Sequence, residues 1–353
     1  MTSNPSVPAE GLFLQEIYKD YEGQPLLKGI TFHVRPGETV CLLGASGSGK
    51  STLLRIITGL EQPDRGDVYW NGRSILNVPV HQRNFSLMFQ DYALFPHKNV
   101  FENVAFGLRM HTEPAANIPS KVAEALTKVN MAGFEHRCVA DFAGGEPQRV
   151  ALAGALAVHP TSLMVGEPLG ALDKSLRAQL LDFLRGVLQG NDLPAIYVTH
   201  DQEEAFAIAD RIILLYNGNI EQEGTPFVLY NTPKNAWVAE FFGQTNFLPG
   251  VVAADGKITT EAGTFAPAAP CTTAQVGDPV NLLLRPGGAG IASGETVNTL
   301  SGEVTDVAFR GEDYKITLRL SEGQELQFTL STPINKGSQV SLHLDSREII
   351  CLA

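Results

Sequence analysis

The segment that most constrains this chain runs from Gly44 to Ser51 and matches the pattern Gly-x-x-x-x-Gly-Lys-Ser. It follows an apolar run at residues 39–43 and precedes a stretch at residues 51–60 whose apolar residues recur at helical spacing. Between a strand and a helix, such glycine-rich loops wrap phosphate groups with backbone N–H groups at the helix N-terminus. Lys50 can then reach the outer phosphates, and the Ser51 hydroxyl can ligate magnesium. The segment therefore predicts a nucleotide site in an α/β fold with a parallel sheet.

The patterns around this loop predict a doubly wound α/β domain at residues 1–243. Strand patterns precede the loop and return later in the chain, at residues 162–165, 195–200 and 211–218. Helical patterns alternate with these strands, around residues 174–189 and 202–209. The helical stretch at residues 101–158, broken at Gly144 and Gly145, indicates an inserted helical subdomain at about residues 91–160.

After Gly243 the sequence changes to short alternating strands separated by Gly, Ala, Thr and Pro turns. The segments VNLLLRP, GEVTDVAF and YKITLRL are examples. We expect a small all-β, OB-like barrel domain at residues 244–353. The predicted fold class is thus α/β, with a P-loop nucleotide-binding domain that carries a helical insertion, followed by this barrel.

Composition excludes several classes of function. The net charge is −12 and no Lys/Arg run is present, which argues against a nucleic-acid partner. No stretch approaches the roughly 20 apolar residues that span a bilayer, and the start MTSNPSVPAEG lacks the features of a signal peptide, so we expect a cytoplasmic protein. The four cysteines, at positions 41, 138, 271 and 351, lack metal-site spacing, and we expect reduced structural thiols.

Beyond the glycine-rich loop, the chain resembles the ATP-binding subunits of ABC-type importers over most of its length. Gln90 in LMFQDYALFPH matches the glutamine loop of that family, and His200, which ends AIYVTH, matches the switch histidine. Tyr21 stands where an aromatic ring stacks on adenine, and Asp173 in LGALD matches a loop at the dimer interface. Each residue also has a simpler structural interpretation. Gln90 could lie at an ordinary loop-to-helix junction, and His200 could be a structural histidine. Tyr21 could be a half-buried strand tyrosine, and Asp173 could be a helix N-cap.

The resemblance implies ATP and Mg²⁺ as cofactors and assigns residues to them. The implied catalytic residues are Glu167 as general base, His200 at the γ-phosphate and Gln90 at the metal and the attacking water. Ser51 and Gln90 are the implied metal ligands. The implied nucleotide contacts are Tyr21, Gly44, Ser46, Gly47, Gly49, Lys50, Ser51, Thr52, Gly144, Gly145 and Asp173.

The chain departs from the family pattern at positions that matter for hydrolysis. Gly166 replaces the aspartate that holds the magnesium hydration shell, although Glu167 follows it as usual. In the signature segment, Ala143 replaces a serine, and Glu146 is followed by Pro147 in the first turn of a helix, where proline is allowed. Gly154 replaces an arginine inside that helix, which should weaken the helix without breaking it.

Two hypotheses of function remain. In the first, the chain is an import ATPase that acts with transmembrane permease subunits, a second ATP-binding subunit in a homo- or heterodimer and, indirectly, a solute-binding protein. It would then lie on the inner face of the membrane, held there by the permease, with the region after Gln90 as the docking surface. In the second, it is a nucleotide-binding regulatory or heterodimer partner with impaired hydrolysis, which Gly166 and Ala143 motivate.

The transported solute stays open. The stretch FPHKNVFENVAFGLRM is most similar to polyamine importers, but ferric-iron, sugar and anion importers share the same domain architecture. Gly287 follows Arg285-Pro286 where a glutamate is usual, which puts in doubt a regulatory ligand site in the barrel. A DNA-repair or chromosome ATPase fits poorly, because the chain has no long heptad segment and no basic patch.

Overall fold

A computed structural model describes residues 7–88, 91–142, 144–169, 174–190, 193–271, 274–294 and 296–352. The chain divides into two compact units, one that ends at Phe227 and one that begins at Val228. Within the described ranges, no helix combines the length and apolar composition that a bilayer-spanning helix needs.

The helices and strands follow the predicted order. The helices are α1 Lys50–Thr58, α2 Val100–Met110, α3 Ile118–Lys128, α4 Glu146–Ala157, α5 Lys174–Gly190, α6 Gln202–Ile208, α7 Pro226–Asn231 and α8 Ala236–Phe241. The strands of the first unit are β1 Leu12–Tyr21, β2 Gln24–Val34, β3 Thr39–Leu43, β4 Arg65–Trp70, β5 Arg73–Ser74, β6 Phe85–Met88, β7 Ser162–Gly166, β8 Ala195–Thr199, β9 Arg211–Tyr216 and β10 Asn219–Gly224.

The central sheet of the first unit has the strand order β10-β9-β3-β8-β7-β6. Strands β9, β3, β8, β7 and β6 are parallel, and β10 joins antiparallel at one edge. Leu43 at the end of β3 is level with Thr199 of β8, and Gly166 of β7 is level with Val198. Parallel strands end at the same edge of a sheet. The glycine-rich loop after β3, Glu167 after β7 and His200 after β8 therefore all lie at that edge.

An antiparallel sheet of order β2-β1-β4-β5 packs on this central sheet through one apolar core. Leu14, Leu42, Leu53 and Ile196 are fully buried in that core. The core fixes α1, and with it the loop that precedes α1, against β3 and β8. Burying four such side chains contributes on the order of 6 to 12 kcal/mol before conformational entropy is subtracted.

The predicted helical insertion lies between β6 and β7 as α2, α3 and α4. Asn99 caps α2 and forms a capping box with Glu102, which satisfies exposed N–H groups at the first turn. Helix α4 continues unbroken through Gly154, as expected, and carries Pro147 in its first turn. These observations and the parallel sheet confirm the predicted fold class for the first domain.

The second unit carries β11 Phe247–Val252, β12 Ile258–Thr260, β13 Gly263–Phe265, β14 Pro279–Leu284, β15 Ala289–Ile291, β16 Thr299–Phe309, β17 Tyr314–Arg319, β18 Glu325–Leu330, β19 Gln339–Leu344 and β20 Ile349–Leu352. They pair into two antiparallel sheets, of order β13-β12-β11-β14-β20 and β15-β19-β16-β17-β18. Leu282 and Leu284 from the first sheet share a core with Leu300 and Phe328 from the second. The all-β C-terminal domain is therefore confirmed.

The prediction that all cysteines are reduced thiols is wrong for two of them. Cys271 and Cys351 form a disulfide whose Cα atoms are 5.4 Å apart, whereas Cys41 and Cys138 are free. The bridge joins the loop before β14 to β20, the strand that pairs with β14. Its partners are separated by 80 residues, so their proximity depends on strand pairing and has no local signal in the sequence.

Opening this disulfide should destabilise the C-terminal unit. Cys351→Ser is expected to lower its free energy of unfolding by about 2 to 4 kcal/mol, because the bridge restricts the unfolded chain. Urea denaturation of the wild type, this variant and Cys138→Ser, which leaves the bridge intact, measures the effect. Thiol titration of denatured, unreduced protein should detect Cys41 and Cys138 only; a titration that found all four thiols would contradict the bridge.

Candidate functional site

The loop between β3 and α1 adopts a conformation that only glycine permits at several positions. Gly47 and Gly49 have φ angles of 80° and 97°, in the left-handed region. A Cβ on Gly49 would lie 2.5 Å from Leu27 Cδ2, and one on Gly44 would lie 2.5 Å from the carbonyl oxygen of Leu215. The predicted glycines therefore shape the loop in two ways, by turning the backbone and by allowing its close packing.

The polar atoms of the loop are suited to a polyphosphate. Lys50 is only 4% exposed, and its ammonium donates to the carbonyl oxygens of Gly44, at 2.8 Å, and Ala45, at 3.0 Å. Burial lowers the pKa of Lys50, while the nearby Glu167 carboxylate opposes this shift. The buried hydroxyl of Ser48 has no hydrogen-bond partner within the described part of the chain. Phosphate oxygens would supply acceptors to both groups.

The remaining loop residues differ in exposure. Ser46 and Ser51 are exposed, and Thr52 is buried against the sheet. Ser51 lies in the first turn of α1 and lines a cavity together with Gly166 and Glu167. It is thus near the carboxylate predicted to act as general base, as the metal assignment requires.

Glu167 follows β7 in a strained backbone conformation. Its φ of 45° lies in the left-handed region, which costs a non-glycine residue about 1 to 3 kcal/mol. Its backbone N–H donates to the carbonyl oxygen of Val198 at 2.9 Å, and its Oε2 lies 3.5 Å from His200 Nδ1. The structure therefore brings Glu167 and His200 together at the end of the sheet.

Gly166 leaves space beside this pair. The cavity there has a volume of about 220 Å³ and is lined by Ser51, Leu54, Arg55, Leu87, Met88, Gly166, Glu167 and Val198. A Cβ on Gly166 would meet the Met88 carbonyl oxygen at 3.5 Å and Leu54 Cδ1 at 3.9 Å, which are ordinary contacts. An aspartate side chain would therefore be tolerated at this position.

The surroundings suit Mg²⁺ better than a metal held by protein ligands alone. No group of three or more His, Cys, Asp or Glu side chains that could hold a metal occurs in the described ranges. Mg²⁺ typically keeps several waters and binds phosphates plus one or two protein oxygens. The Ser51 hydroxyl, which lines the cavity, would supply one such oxygen. The second predicted ligand, Gln90, lies outside the described residues.

Tyr21, the predicted adenine contact, ends β1 at the surface with 43% of its area exposed. Its hydroxyl donates to Glu61, and the Lys19 ammonium lies 5.5 Å from the ring centre. The ring is thus held in place by its polar edge while part of it remains accessible to a stacking partner.

The signature glycines lie at the start of α4. Gly144 has a φ of 59°, and Gly145 is the N-cap residue. A Cβ on Gly145 would lie 2.6 Å from Leu180 Cδ1, so a larger residue there would require the Leu180 side chain to move. The Glu146 carboxylate forms an ion pair with Arg137 at 3.3 Å, which partly offsets the negative charge predicted to lie near phosphate. Ala143 and Asp173 lie outside the described residues.

Sequence reasoning missed Tyr92. Its φ is 59°, and its hydroxyl donates to the carbonyl oxygen of Pro168 at 2.8 Å. Pro168 directly follows Glu167, so this bond ties the segment after Gln90 to the backbone of the predicted general base. The only available signal was the position of Tyr92 two residues after Gln90.

Sequence reasoning also missed Glu204, which is 3% exposed. Its carboxylate accepts hydrogen bonds from Tyr197 at 3.0 Å and Thr199 at 2.8 Å, and the Arg177 Nε lies 3.8 Å away. Burial raises the pKa of Glu204, against the effect of these donors. The network fixes the strand end that carries His200 to α6.

Tyr92→Phe should slow ATP hydrolysis about fivefold without changing the KM for ATP, because it removes one hydrogen bond of about 1 kcal/mol that positions Glu167. Steady-state kinetics of the purified chain would measure the effect. Tyr18→Phe is a matched control, since the Tyr18 hydroxyl donates to the exposed Glu16, at 3.2 Å. A rise in KM with unchanged kcat would contradict a role at Glu167.

The fold and the site define a P-loop ATPase. A parallel sheet presents a phosphate-binding loop at the end of β3, and a carboxylate and a histidine follow the neighbouring strands β7 and β8. This combination is typical of proteins that bind a nucleoside triphosphate and hold a carboxylate near its outer phosphates.

Comparisons with known proteins give the family. The model of the ABC transporter family matches residues 27–170, and that of the TOBE domain matches residues 282–352. The spermidine/putrescine import ATP-binding protein PotA of Acetivibrio thermocellus is 38% identical over 95% of this chain and 94% of its own length. PotA of Clostridioides difficile is 39% identical over 86% of this chain and 87% of its own.

Among solved structures, cbiO1 from Clostridium perfringens, part of the ABC transporter complex cbiONQ, superposes with a TM-score of 0.58 at 25% identity. The match covers 64% of this chain and 92% of cbiO1. The chain belongs to the ABC transporter family, as an ATP-binding subunit of an importer with a C-terminal TOBE domain. It is an ATPase coupled to transport and uses ATP with Mg²⁺, as the resemblance implied.

Proposed function

We propose that this chain drives polyamine import and that its own hydrolytic site turns over slowly. The cargo is supported by relatives named as spermidine/putrescine import ATP-binding proteins, which are 35–39% identical over most of the chain. The slow turnover rests on one observation: Gly166 leaves a cavity of about 220 Å³ at the magnesium site, where the family has a carboxylate.

The geometry of the site supports a role for each of these residues. Lys50 binds the outer phosphates by exchanging its carbonyl partners for phosphate oxygens. Ser51 and Gln90 would hold Mg²⁺, which neutralises charge on the phosphates when bound. Glu167 polarises the attacking water, and His200 contacts the γ-phosphate beside it.

The composite site requires a second ATP-binding subunit. Gly144 and Gly145 would present the N-terminus of α4 to the nucleotide of the partner, where helix N–H groups favour phosphate. Asp173 would lie at the same interface. If two copies of this chain pair, both sites lack a carboxylate at position 166. If the chain pairs with an intact relative, only one of the two sites lacks it.

The permease would dock in a groove between the central sheet and the helical insertion. This groove is a cavity of about 320 Å³, lined by Leu87, Tyr92, Leu94, Phe106, Gly107, Val150 and Gly154, among others. It includes the segment after Gln90, and Tyr92 connects it to Pro168. Docking there would hold the chain on the inner face of the membrane, with a solute-binding protein acting through the permease.

Uptake measurements would test the cargo. The chain should be expressed with candidate permease and solute-binding subunits in a host that lacks polyamine import. Labelled spermidine, putrescine, maltose and ferric citrate should be supplied separately. We expect uptake of a polyamine only, abolished by Lys50→Ala. Sugar or iron uptake would overturn the assignment of cargo without affecting the ATPase.

A second candidate is a regulatory or heterodimer partner that closes on ATP without useful turnover. Gly166 favours it as well, because binding by Lys50 does not need the missing carboxylate. Full uptake by the chain as the sole ATP-binding subunit would exclude this role, whereas uptake that required a second, intact ATP-binding subunit would favour it.

A further inference from the structure

The cavity beside Gly166 combines free space with cationic and hydroxyl side chains. We propose that it binds a small free carboxylate, such as formate or acetate, which supplies the oxygen ligands that Gly166 lacks. This inference rests on the proposed slow turnover of the site. It assigns to the chain a dependence on a small anion that intact relatives would not need.

The space is sufficient for such a ligand. The cavity of about 220 Å³ is well above the roughly 10 to 15 Å³ that a single water needs. The nearest atoms to a Cβ on Gly166 are the Met88 carbonyl oxygen at 3.5 Å and Leu54 Cδ1 at 3.9 Å. The side chain that Gly166 omits would therefore enter this cavity, and a separate carboxylate of the same size can take its place.

The charges around the cavity favour a carboxylate only when metal and nucleotide are bound. Arg55 lines one side, and the Ser51 hydroxyl can donate a hydrogen bond to an anion. The Glu167 carboxylate lines the cavity too and repels an anion in the metal-free protein. The divalent cation reverses this balance, so carboxylate and metal should each raise the affinity of the other.

The apolar lining favours a ligand with a single charge. Leu54, Leu87 and Val198 surround the polar groups and can contact one methyl group but offer no partner to a second charge. We therefore expect formate and acetate to bind, and expect succinate and larger dicarboxylates to be excluded. Chloride, which is a poor hydrogen-bond acceptor by comparison, serves to keep ionic strength constant.

The first experiment measures binding without catalysis. Carboxyl-¹³C acetate is titrated into the full chain with Mn²⁺ and ADP, and its ¹³C relaxation is recorded, because Mn²⁺ enhances relaxation only of nearby carbons. We expect a saturable enhancement that unlabelled formate reverses. Gly166→Asp, which fills the cavity with its own carboxylate, should abolish it, whereas Gly186→Asp, an added carboxylate on the exposed face of α5, should not.

The second experiment measures hydrolysis of Mg²⁺-ATP at constant ionic strength. Acetate should raise the rate of the wild type about tenfold, less than a built-in carboxylate, because the free anion is not preorganised. Gly166→Asp should hydrolyse fast without acetate and gain nothing from it. Suppose that acetate neither shows enhanced relaxation with the wild type nor activates it, while the Gly166→Asp variant is active. That result would overturn the carboxylate site but would still support slow turnover. Failure of Gly166→Asp to gain activity would overturn both.

Discussion

Gly166→Asp is expected to raise the rate of Mg²⁺-dependent ATP hydrolysis by the purified chain about 100- to 1,000-fold. This is the usual contribution of one preorganised electrostatic group to kcat. The substituted side chain enters the cavity lined by Ser51 and Glu167, where its Cβ makes only ordinary contacts. The gain should fall on kcat, because the substitution leaves unchanged the proposed ATP contacts of Lys50 and the loop glycines. Phosphate release under saturating ATP, with nucleotide binding measured in parallel, checks this result.

Two control variants show whether the charge itself is responsible. Gly166→Asn has the same shape as the aspartate variant but is neutral, so its gain should be small. Gly186→Asp adds a carboxylate at an exposed position of α5 that does not line the cavity, and it should leave the rate unchanged. If wild type and Gly166→Asp hydrolyse ATP at comparable rates, the remaining groups suffice and the proposal of slow turnover is wrong.

The nucleotide loop could be predicted from the sequence because its signal is local. Residues 44–51 combine glycines whose φ angles other residues rarely adopt with a lysine at a fixed spacing. The proximity of Glu167 and His200 could also be predicted, since each follows a strand of one parallel sheet. Their separation of 3.5 Å follows from the register that sets Gly166 beside Val198.

Other features depend on contacts that leave no pattern along the chain. The Cys271–Cys351 bridge requires β14 and β20 to pair across most of the C-terminal domain. The bond from Tyr92 to Pro168 requires two consecutive residues in the left-handed region, with φ angles of 59° and 49°, although neither Tyr92 nor Ala93 is glycine. Burial of Glu204 within an acidic run has no sequence signal, because such runs are usually solvated.

The effect of Gly166 on the site could be predicted from the sequence only in part. The sequence shows that an aspartate is missing, but it cannot show whether neighbouring side chains have moved in to fill the gap. The structure shows that Leu54 and Met88 stay at ordinary contact distance and that the space remains. Because the space for the side chain remains, we expect that an aspartate introduced at position 166 can restore the missing carboxylate.

Glu167→Gln is expected to reduce hydrolysis about 100- to 10,000-fold in the Gly166→Asp background, the usual contribution of a positioned general base. Glutamine keeps the shape of the side chain, including the atom 3.5 Å from His200 Nδ1, but cannot accept a proton from water. ATP affinity should be retained, because Lys50 and the loop glycines are untouched. Single-turnover hydrolysis with bound nucleotide quantified separates the chemical step from binding.

The same substitution in the wild type distinguishes two accounts of the Gly166 change. If Gly166 only weakens metal orientation, Glu167 still acts as the base and Glu167→Gln should reduce the slow wild-type rate by a similar factor. If the lost aspartate instead leaves Glu167 unable to activate water, Glu167→Gln should change the wild-type rate little, and the two substitutions would be strongly non-additive. Glu203→Gln, on an exposed position of α6, is the matched control and should leave every rate unchanged. Full turnover by Glu167→Gln in the Gly166→Asp background would mean that another group is the base.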